Sequence, residues 1–299
     1  MKFASYALVT AAYNEKALIE QTIRSIAGQT VPPARWIIVS DGSNDGTDEI
    51  VKGYAAQYSF IQLHRITEEH PRNFAAQVYA INRGLSLLEG ETYDFVGNMD
   101  ADISLEPDYF ERLLEKFALD AKLGLGGGSI YERASDGIFA ERRGNRVTSV
   151  AHACQLFRRE CFLDVGGAYL ALPYGGPDTH AEAVARMKSW RVESFTDLKV
   201  FHHRRTGSVG GILRGWFRQG KMDYSLGTLP MFEAFKLLRR LAARPYVIGS
   251  VVRLAGFLDC YWHGEKRSVP EDFVHHFRHE QRQRLANLWR RRDAAPGAQ

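Results

Sequence analysis

Short apolar runs alternate with amphipathic stretches through the first half of the chain, the pattern of βαβ units and a mainly parallel sheet. Residues 6–11 read as a first strand, 16–28 as a helix and 36–40 as a second strand. A turn rich in Gly, Asn and Asp follows over 41–46, with Thr47 as the N-cap of a helix reaching about residue 58. Residues 61–65 predict a third strand and 73–88 a third helix, its Val78, Ile81, Leu85 and Leu88 at helical spacing. Residues 93–97 are the fourth strand, and Pro107 opens a helix through about residue 119. The stretch 120–175 is less regular: 123–130 reads as a strand, and the polar, charged 132–149 as a mobile loop. Residues 178–188 predict a helix, and 191–195 and 199–202 two strands. From about Gly207 the pattern turns helical. Within 229–243, Met231, Phe232, Phe235, Leu238 and Ala242 form one stripe, with Glu233, Lys236 and Arg240 off it. Residues 246–262 are strongly apolar but interrupted by Arg253 and Asp259, too short and too charged for a membrane span.

Three strands of this pattern end in polar residues. Asp100 and Asp102 fall where the fourth strand runs out, and acidic groups are costly inside a sheet unless paired. At a strand's carboxyl end they reach the crevice where open α/β sheets bind ligands, and two carboxylates at that spacing can hold Mg2+ or Mn2+ beside a diphosphate. The second strand ends in Asp41-Gly42-Ser43-Asn44-Asp45-Gly46-Thr47, where a carboxylate and glycines suit a base or ribose. The first ends in Thr10, Tyr13, Asn14 and Glu15. Arg65 and Arg72 flank the same crevice after the third strand. A Gly-rich phosphate-cradling turn, which a nucleotidyltransferase would need after its first strand, is missing from Ala11-Ala12-Tyr13-Asn14.

Composition narrows the setting. The 299 residues are 45% hydrophobic and 25% charged, an ordinary globular balance. Cys154, Cys161 and Cys260 make an odd count without paired spacing, which favours buried thiols in a reducing compartment. The apolar N-terminus continues into Tyr13-Asn14-Glu15 and reads as a first strand rather than a signal peptide, so the expected location is cytoplasmic. The net charge of +4 is uneven: residues 1–199 hold 21 Lys/Arg against 27 Asp/Glu, and residues from Val200 onward hold 18 against 8. No nucleic-acid motif accompanies the basic tail, so an anionic membrane surface, the inner face of the plasma membrane, is the partner it fits. The tail's helices read equally as a pair packed on the front domain or as an amphipathic membrane-surface element.

Together these segments resemble the family 2 inverting glycosyltransferases of the GT-A fold. Ala11-Ala12-Tyr13-Asn14-Glu15 matches the family's first-strand turn without its proline, Asp41 to Thr47 its second-strand segment, and Asp100-Ala101-Asp102 its metal-binding Asp-x-Asp. Asn73-Phe74-Ala75-Ala76 and Asn82-Arg83-Gly84 match its third helix loosely. The resemblance covers about residues 5–205. It implies an α/β, GT-A-like domain over 1–206, with a nucleotide-sugar half (1–102) and an acceptor half (103–206), its mainly parallel central sheet flanked by helices. A basic, amphipathic helical extension occupies 207–299.

By the same resemblance, a nucleotide-diphospho-sugar, UDP-linked by preference, would lie against Ala11, Tyr13, Asn14, Glu15, Asp41, Arg72, Asn73, Asp100 and Ala101, with Mn2+ or Mg2+ as cofactor. Asp102 is the expected metal ligand, and Asp100 touches ribose or the metal through water. His203, ahead of His202, is the expected histidine near the metal, and Arg204 and Arg205 suit phosphate. The acceptor motif departs from the family, with Pro177-Asp178 where Glu-Asp is usual. Asp178 is then the expected general base for an acceptor hydroxyl of a glycan or lipid-linked chain, in polysaccharide, lipopolysaccharide or glycolipid synthesis. Glu182, one turn on, is the alternative base or a solvated face residue. Trp190 and Trp216 offer stacking surfaces for a sugar or core packing, and His275, His276 and His279 read as surface or membrane-facing. The competing reading is a non-catalytic sugar-nucleotide-binding or membrane scaffold protein, against which retained Asp178, Asp100 and Asp102 argue.

Overall fold

The computed structural model describes residues 4–67, 75–134, 136–142, 144–204, 211–241 and 246–293. The chain divides into two compact units, Met1–Ala171 with Pro177–Thr206, and Leu172–Gly176 with Gly207–Gln299. The short segment Leu172–Gly176, placed with the front domain by the sequence pattern, therefore belongs to the second unit.

The first unit alternates strand and helix: β1 (Tyr6–Ala12), α1 (Ile19–Ala27), β2 (Arg35–Ser40), α2 (Thr47–Ala55), β3 (Ile61–Arg65), α3 (Ala76–Ser86) and β4 (Phe95–Met99). Then come β5 (Ile103–Leu105), α4 (Tyr109–Leu119), β6 (Leu123–Arg133), β7 (Phe139–Glu141), β8 (Cys154–Arg158), α5 (Arg159–Val165), α6 (Pro177–Met187) and β9 (Arg191–His202). The strands form one mixed sheet in the order β3-β2-β1-β4-β8-β6-β9-β5, with β7 on β6. The first four in that order run parallel, which places the ends of β1, β2 and β4 along one edge. β8 enters antiparallel to both β4 and β6, and β6 and β9 are parallel.

Period-two alternation feeds two cores, one on each face of the sheet. Tyr6 and Leu8 of β1 join Trp36, Ile38, Ile19, Ile23 and Phe110 on one side; Ala7 and Val9 join Ile37, Val39, Val78, Ile81 and Leu85 on the other. Gly84 is needed on the second side, because a Cβ there would lie 2.4 Å from Val9 Cγ1. The buried Thr10 hydroxyl accepts a hydrogen bond from Trp36 Nε1 at 2.9 Å and the Tyr6 hydroxyl donates to the Val31 carbonyl at 2.7 Å, so the polar side chains of β1's core are satisfied.

Several boundaries differ from the pattern-based expectation. β4 continues through Asn98 and Met99, so Asp100 is the first residue beyond it. Thr47 does not cap α2: Gly46, at φ +100°, occupies the cap position, and Asp45 Oδ1 accepts the Thr47 N–H at 3.0 Å. The stretch 132–149, expected as a loop, contains β7 paired to the end of β6. β9 is one strand rather than two; its register against β6 jumps from Phe195 to Lys199, a bulge that looks like a break in sequence.

The second unit holds α7 (Ile212–Ser225), α8 (Pro230–Arg240), α9 (Tyr246–Trp262) and α10 (Glu271–Asp293). α7 and α9 cross at glycines, since a Cβ on Gly220 would fall 1.9 Å from the Arg253 carbonyl oxygen and one on Gly256 would fall 2.0 Å from that of Phe217. Of the stripe read along α8, Met231 and Leu238 are exposed and Phe232 and Phe235 half-buried, while Glu233 is buried with Leu237.

Candidate active site

The acidic pair sits where β4 leaves the sheet. The Asp100 N–H donates to the Ala153 carbonyl at 2.9 Å, anchoring the turn, and Asp102 follows one residue after Ala101. β9 brings His202 to the same point, opposite Ile103 of β5, with Nε2 3.1 Å from Asp102 Oδ1. One ligand atom from each of Asp100, Asp102 and His202 lies within 4.8 Å of the others. Arg204 Nε is 3.7 Å from Asp102 Oδ2.

Burial raises the Asp100 carboxyl above its ordinary range, with His152 opposing the shift and the Asp102 charge adding to it. Asp100 Oδ1 accepts a hydrogen bond from Gln77 Nε2 at 2.9 Å, and His152 Nδ1 stands 4.0 Å away. For His202 burial works against protonation, yet the Asp102 hydrogen bond and charge outweigh it and raise the imidazole. His202 Nδ1 and His152 Nε2 are buried without a hydrogen-bond partner. Two carboxylates, an imidazole and unsatisfied ring nitrogens form a donor set that fits Mn2+ or Mg2+, the imidazole favouring Mn2+.

A cleft of about 690 Å³ opens over this cluster. Ala11, Tyr13, Glu15, Asp41, Asp100, Ala101 and Asp102, all expected at the site, line it together with Gln77, His202 and Arg204. Asp41 closes the end of β2 and is buried. Arg204 grips Glu15 with both terminal nitrogens, at 2.9 and 2.5 Å. Burial raises the Glu15 carboxyl, and Arg204 pulls in the opposite direction.

The two loops bounding the cleft are laced together. Asn14, at φ +54°, accepts the Asn44 N–H on Oδ1 at 2.9 Å, and its own N–H donates to Ser43 Oγ at 3.1 Å. The Glu15 and Lys16 N–H groups donate to Thr47 Oγ1 and Asp45 Oδ2, at 2.9 and 3.0 Å. Asn14 thus supports the cleft without lining it.

Other residues expected near a ligand stand elsewhere. His203 turns away from the cluster: Nε2 is 2.8 Å from Ser104 Oγ, and its ring packs edge-on against Phe139. The alternation Leu198, Val200, His202 carries the buried face of β9 into the site and sends His203 to the opposite side, a parity visible in the sequence. Arg65 is paired with Asp48 of α2. Trp190 Nε1 is bonded to Asp164 Oδ2 at 2.8 Å, and Trp216 lies under the Arg240 guanidinium at 5.2 Å. Arg72, Asn73 and Arg205 lie outside the described residues.

α6 begins at Pro177 and carries Asp178 in its first turn, half-buried, with Oδ1 accepting the Thr179 N–H at 2.8 Å. Glu182 is not a solvated face residue. It is 4% exposed, and its Oε1 accepts the Val150 N–H at 2.7 Å and the Ser149 hydroxyl at 3.0 Å. Burial, then the Asp178 charge, push its carboxyl up to about 8. Near the Asp100–Asp102–His202 cluster stands a buried polar group that the sequence pattern does not reveal. The Tyr169 hydroxyl lies against Asn98 Oδ1 and 2.6 Å from Gln155 Oε1, and Asn98 Nδ2 donates to the His152 carbonyl at 2.6 Å. Asn82 clamps the Tyr169 backbone on both its N–H and its carbonyl, at 2.9 and 2.8 Å.

Comparison with known proteins identifies this arrangement. The sequence profile of Glycosyl transferase family 2 matches residues 7–165, more than half of the chain. The chain belongs to glycosyl transferase family 2. It is a glycosyltransferase of GT-A-like fold with a C-terminal helical extension. Among curated relatives it is 25% identical over 258 residues to the glycosyltransferase AglE of Haloferax volcanii, an alignment covering 82% of this chain and 79% of that protein. It is also 23% identical over 212 residues to the poly-beta-1,6-N-acetyl-D-glucosamine synthase of Staphylococcus epidermidis, covering 65% of this chain but only 47% of the synthase. Among solved structures it is similar to the mannosyltransferase PcManGT of Pyrobaculum calidifontis, determined with GDP-Man and Mn2+. That likeness has a TM-score of 0.58 at 16% identity, over 90% of this chain and 78% of that one. S. aureus TarS 1–349 with UDP-GlcNAc follows, with a TM-score of 0.55 at 13% identity, over 88% and 74%.

Proposed function

We propose that this family 2 glycosyltransferase moves a sugar, with inversion, from a nucleotide-diphospho-sugar to a hydroxyl of a glycan or lipid-linked acceptor. Asp100, Asp102 and His202 would hold Mn2+ or Mg2+. The observation that carries the proposal is the convergence of these three side chains at ligand distance on the floor of a cleft that also presents Asp41, Glu15 and Arg204. A UDP-sugar is the preferred donor. The similarity to an exopolymer synthase and to proteins solved with GDP-Man or UDP-GlcNAc supports a role in envelope polysaccharide or glycolipid synthesis.

Asp41, at the end of β2, receives the base or ribose, and Arg204 lies close enough to Asp102 to meet a diphosphate. The bound cation supplies neutralisation of the charge that develops on the departing nucleoside diphosphate. Asp178 accepts the proton of the acceptor hydroxyl as its oxygen bonds to the anomeric carbon and the diphosphate leaves from the opposite face. Glu182 suits that task less well, because it is buried and its Oε1 is already taken up by the Val150 N–H and the Ser149 hydroxyl. Its place is to hold α6 against the 149–150 segment, which leads to His152 beside Asp100. The basic C-terminal unit suits attachment at an anionic membrane surface, the inner face of the plasma membrane.

A thermal-shift panel of UDP-, GDP- and dTDP-sugars, each with and without Mn2+, tests the proposal. One donor class should raise the unfolding temperature more with the metal than without, and Asp102→Asn should remove that increment. No metal-dependent shift with any donor would overturn the metal-dependent transferase reading.

A further inference from the structure

Around one charge cluster the second unit turns polar groups inward and apolar ones outward. The buried side of α9 presents Gly249, Ser250, Arg253 and Gly256 beside Phe257 and Cys260, whereas its outer side presents Val247, Ile248, Val251, Leu254, Leu258, Tyr261 and Trp262. These last two are 71% and 87% exposed. α8 repeats the inversion, with Glu233 inside and Met231 and Leu238 outside, and α7 begins with exposed Ile212 and Leu213.

The inward sides of α8 and α9 are polar because they hold a charge cluster. Arg253 donates from Nε to Glu233 Oε1 at 3.0 Å, from Nη1 to Gln219 Oε1 at 2.8 Å and from Nη2 to Asp223, and Lys236 Nζ reaches Asp223 and Glu233 at 2.6 Å each. An exposed run of this kind on a monomer marks an interaction surface rather than chance exposure.

We propose that the outer face of α9, with its terminal Tyr261 and Trp262, lies in the headgroup region of an anionic lipid bilayer. Charge decides the occupant. From Gly207 onward the chain has 16 Lys/Arg against 8 Asp/Glu. Five of those acids are engaged by cations of the same unit: Asp223 and Glu233 as above, Asp259 and Glu265 by Lys221 at 2.7 and 3.0 Å, and Glu280 by Arg284 at 3.6 Å. The positive excess is thus left to meet something outside, and a second copy of the chain would bring like charge against like. An anionic surface supplies the opposite charge, and aromatic rings at the end of an apolar stripe suit the boundary between headgroups and acyl chains. No described helix is long and apolar enough to cross a membrane, and α9, at 17 residues, would lie along the surface. Close crossing of α7 and α9 at glycines is the packing that serves helices in apolar surroundings.

The inference deepens the peripheral location proposed above and is independent of the transfer chemistry. Its test is flotation of the full chain with vesicles of phosphatidylcholine alone, and of phosphatidylcholine with phosphatidylglycerol. The wild type and the pair Val251→Glu with Leu258→Glu are compared, both positions being exposed and outside the cleft. The wild type should float with the anionic vesicles only, and the double variant should bind them about tenfold or more weakly, with unchanged circular dichroism and donor-induced thermal shift. If the wild type floats with neither vesicle, the peripheral location falls. If wild type and variant float alike, α9 is not the element. A wild-type dimer in light scattering that the double variant dissolves would assign the face to a second copy and overturn the proposal.

Discussion

Asp178 and Glu182 stand one turn apart on α6, yet their surroundings differ. Asp178 is half-buried in the first turn of the helix, with Oδ1 accepting the Thr179 N–H. Glu182 is buried beneath it and faces the Asp178 charge, which favours the neutral form. Asp178→Asn should therefore lower turnover by about 10²- to 10⁴-fold while leaving the donor-induced thermal shift intact, as loss of a general base without loss of binding requires. Normal turnover in that variant would remove Asp178 from the mechanism. Glu182 makes a separate prediction through linkage. In the unfolded chain it titrates near the ordinary 4.5, and in the folded chain at about 8. Between those values the folded state holds a proton that the unfolded state has released. Its contribution to stability is complete below about 4.5 and drains away as pH rises to 8, by up to about 1.4 kcal/mol per pH unit. Glu182→Gln cannot titrate, so denaturant curves of the wild type should lose stability relative to the variant across that window. Parallel pH profiles for the two proteins would show that Glu182 is ionised in the fold.

At the scale of elements, what the sequence made legible is what repeats with a period. β1 to β4 and the helices between them follow alternation and helical spacing closely, because each contributes one apolar face to one of two cores. The polar strand ends stood out for the same reason in reverse, since Asp41, Asp100 and Asp102 interrupt the apolar pattern at a common edge. β8 was hidden because its pattern is mixed. Gln155 lies in its middle, buried, donating to the Val150 carbonyl and facing Tyr169, so a core strand reads as a polar segment. β9 looked like two strands because its bulge carries Thr196 and Asp197. The site's histidine was legible in principle: continuing the parity of Leu198 and Val200 points to His202, whereas residue type alone cannot separate it from His203. The pairing of Glu182 with Ser149 and Val150 could not be read at all, being a contact across 32 and 33 residues with no local signature. α8's stripe left a packed face and a surface face equally open, because a stripe alone does not name what covers it; in the fold Met231 and Leu238 are exposed and Glu233 is held inside by Arg253.

The whole molecule divides its charge as it divides its fold. The first unit gathers carboxylates at one cleft, where a cation and a diphosphate would offset one another, and the second buries Asp223 and Glu233 within a net excess of cations. The enclosed cluster is the weak point of that arrangement. Asp223, Glu233 and Arg253 are each at most 5% exposed, and a buried ion pair is worth little net, but one broken partner leaves an uncompensated charge. Arg253→Met keeps the length and apolar stem of the side chain while removing the guanidinium from Glu233, Gln219 and Asp223 together. Lys236 remains as the sole cation of the four-member group, facing two carboxylates. The expected cost is about 3–5 kcal/mol, confined to the unit that holds the cluster. Amide hydrogen exchange reads it directly: protection in α7, α8 and α9 should fall in Arg253→Met, with protection in β1, β2 and β4 and the donor-induced shift preserved. Equal loss in both units would mean that they unfold as one and that the charge cluster stabilises the whole chain. Unchanged protection in α7 to α9 would mean that the cluster contributes nothing measurable, and that the second unit is held by its apolar contacts and glycine crossings alone.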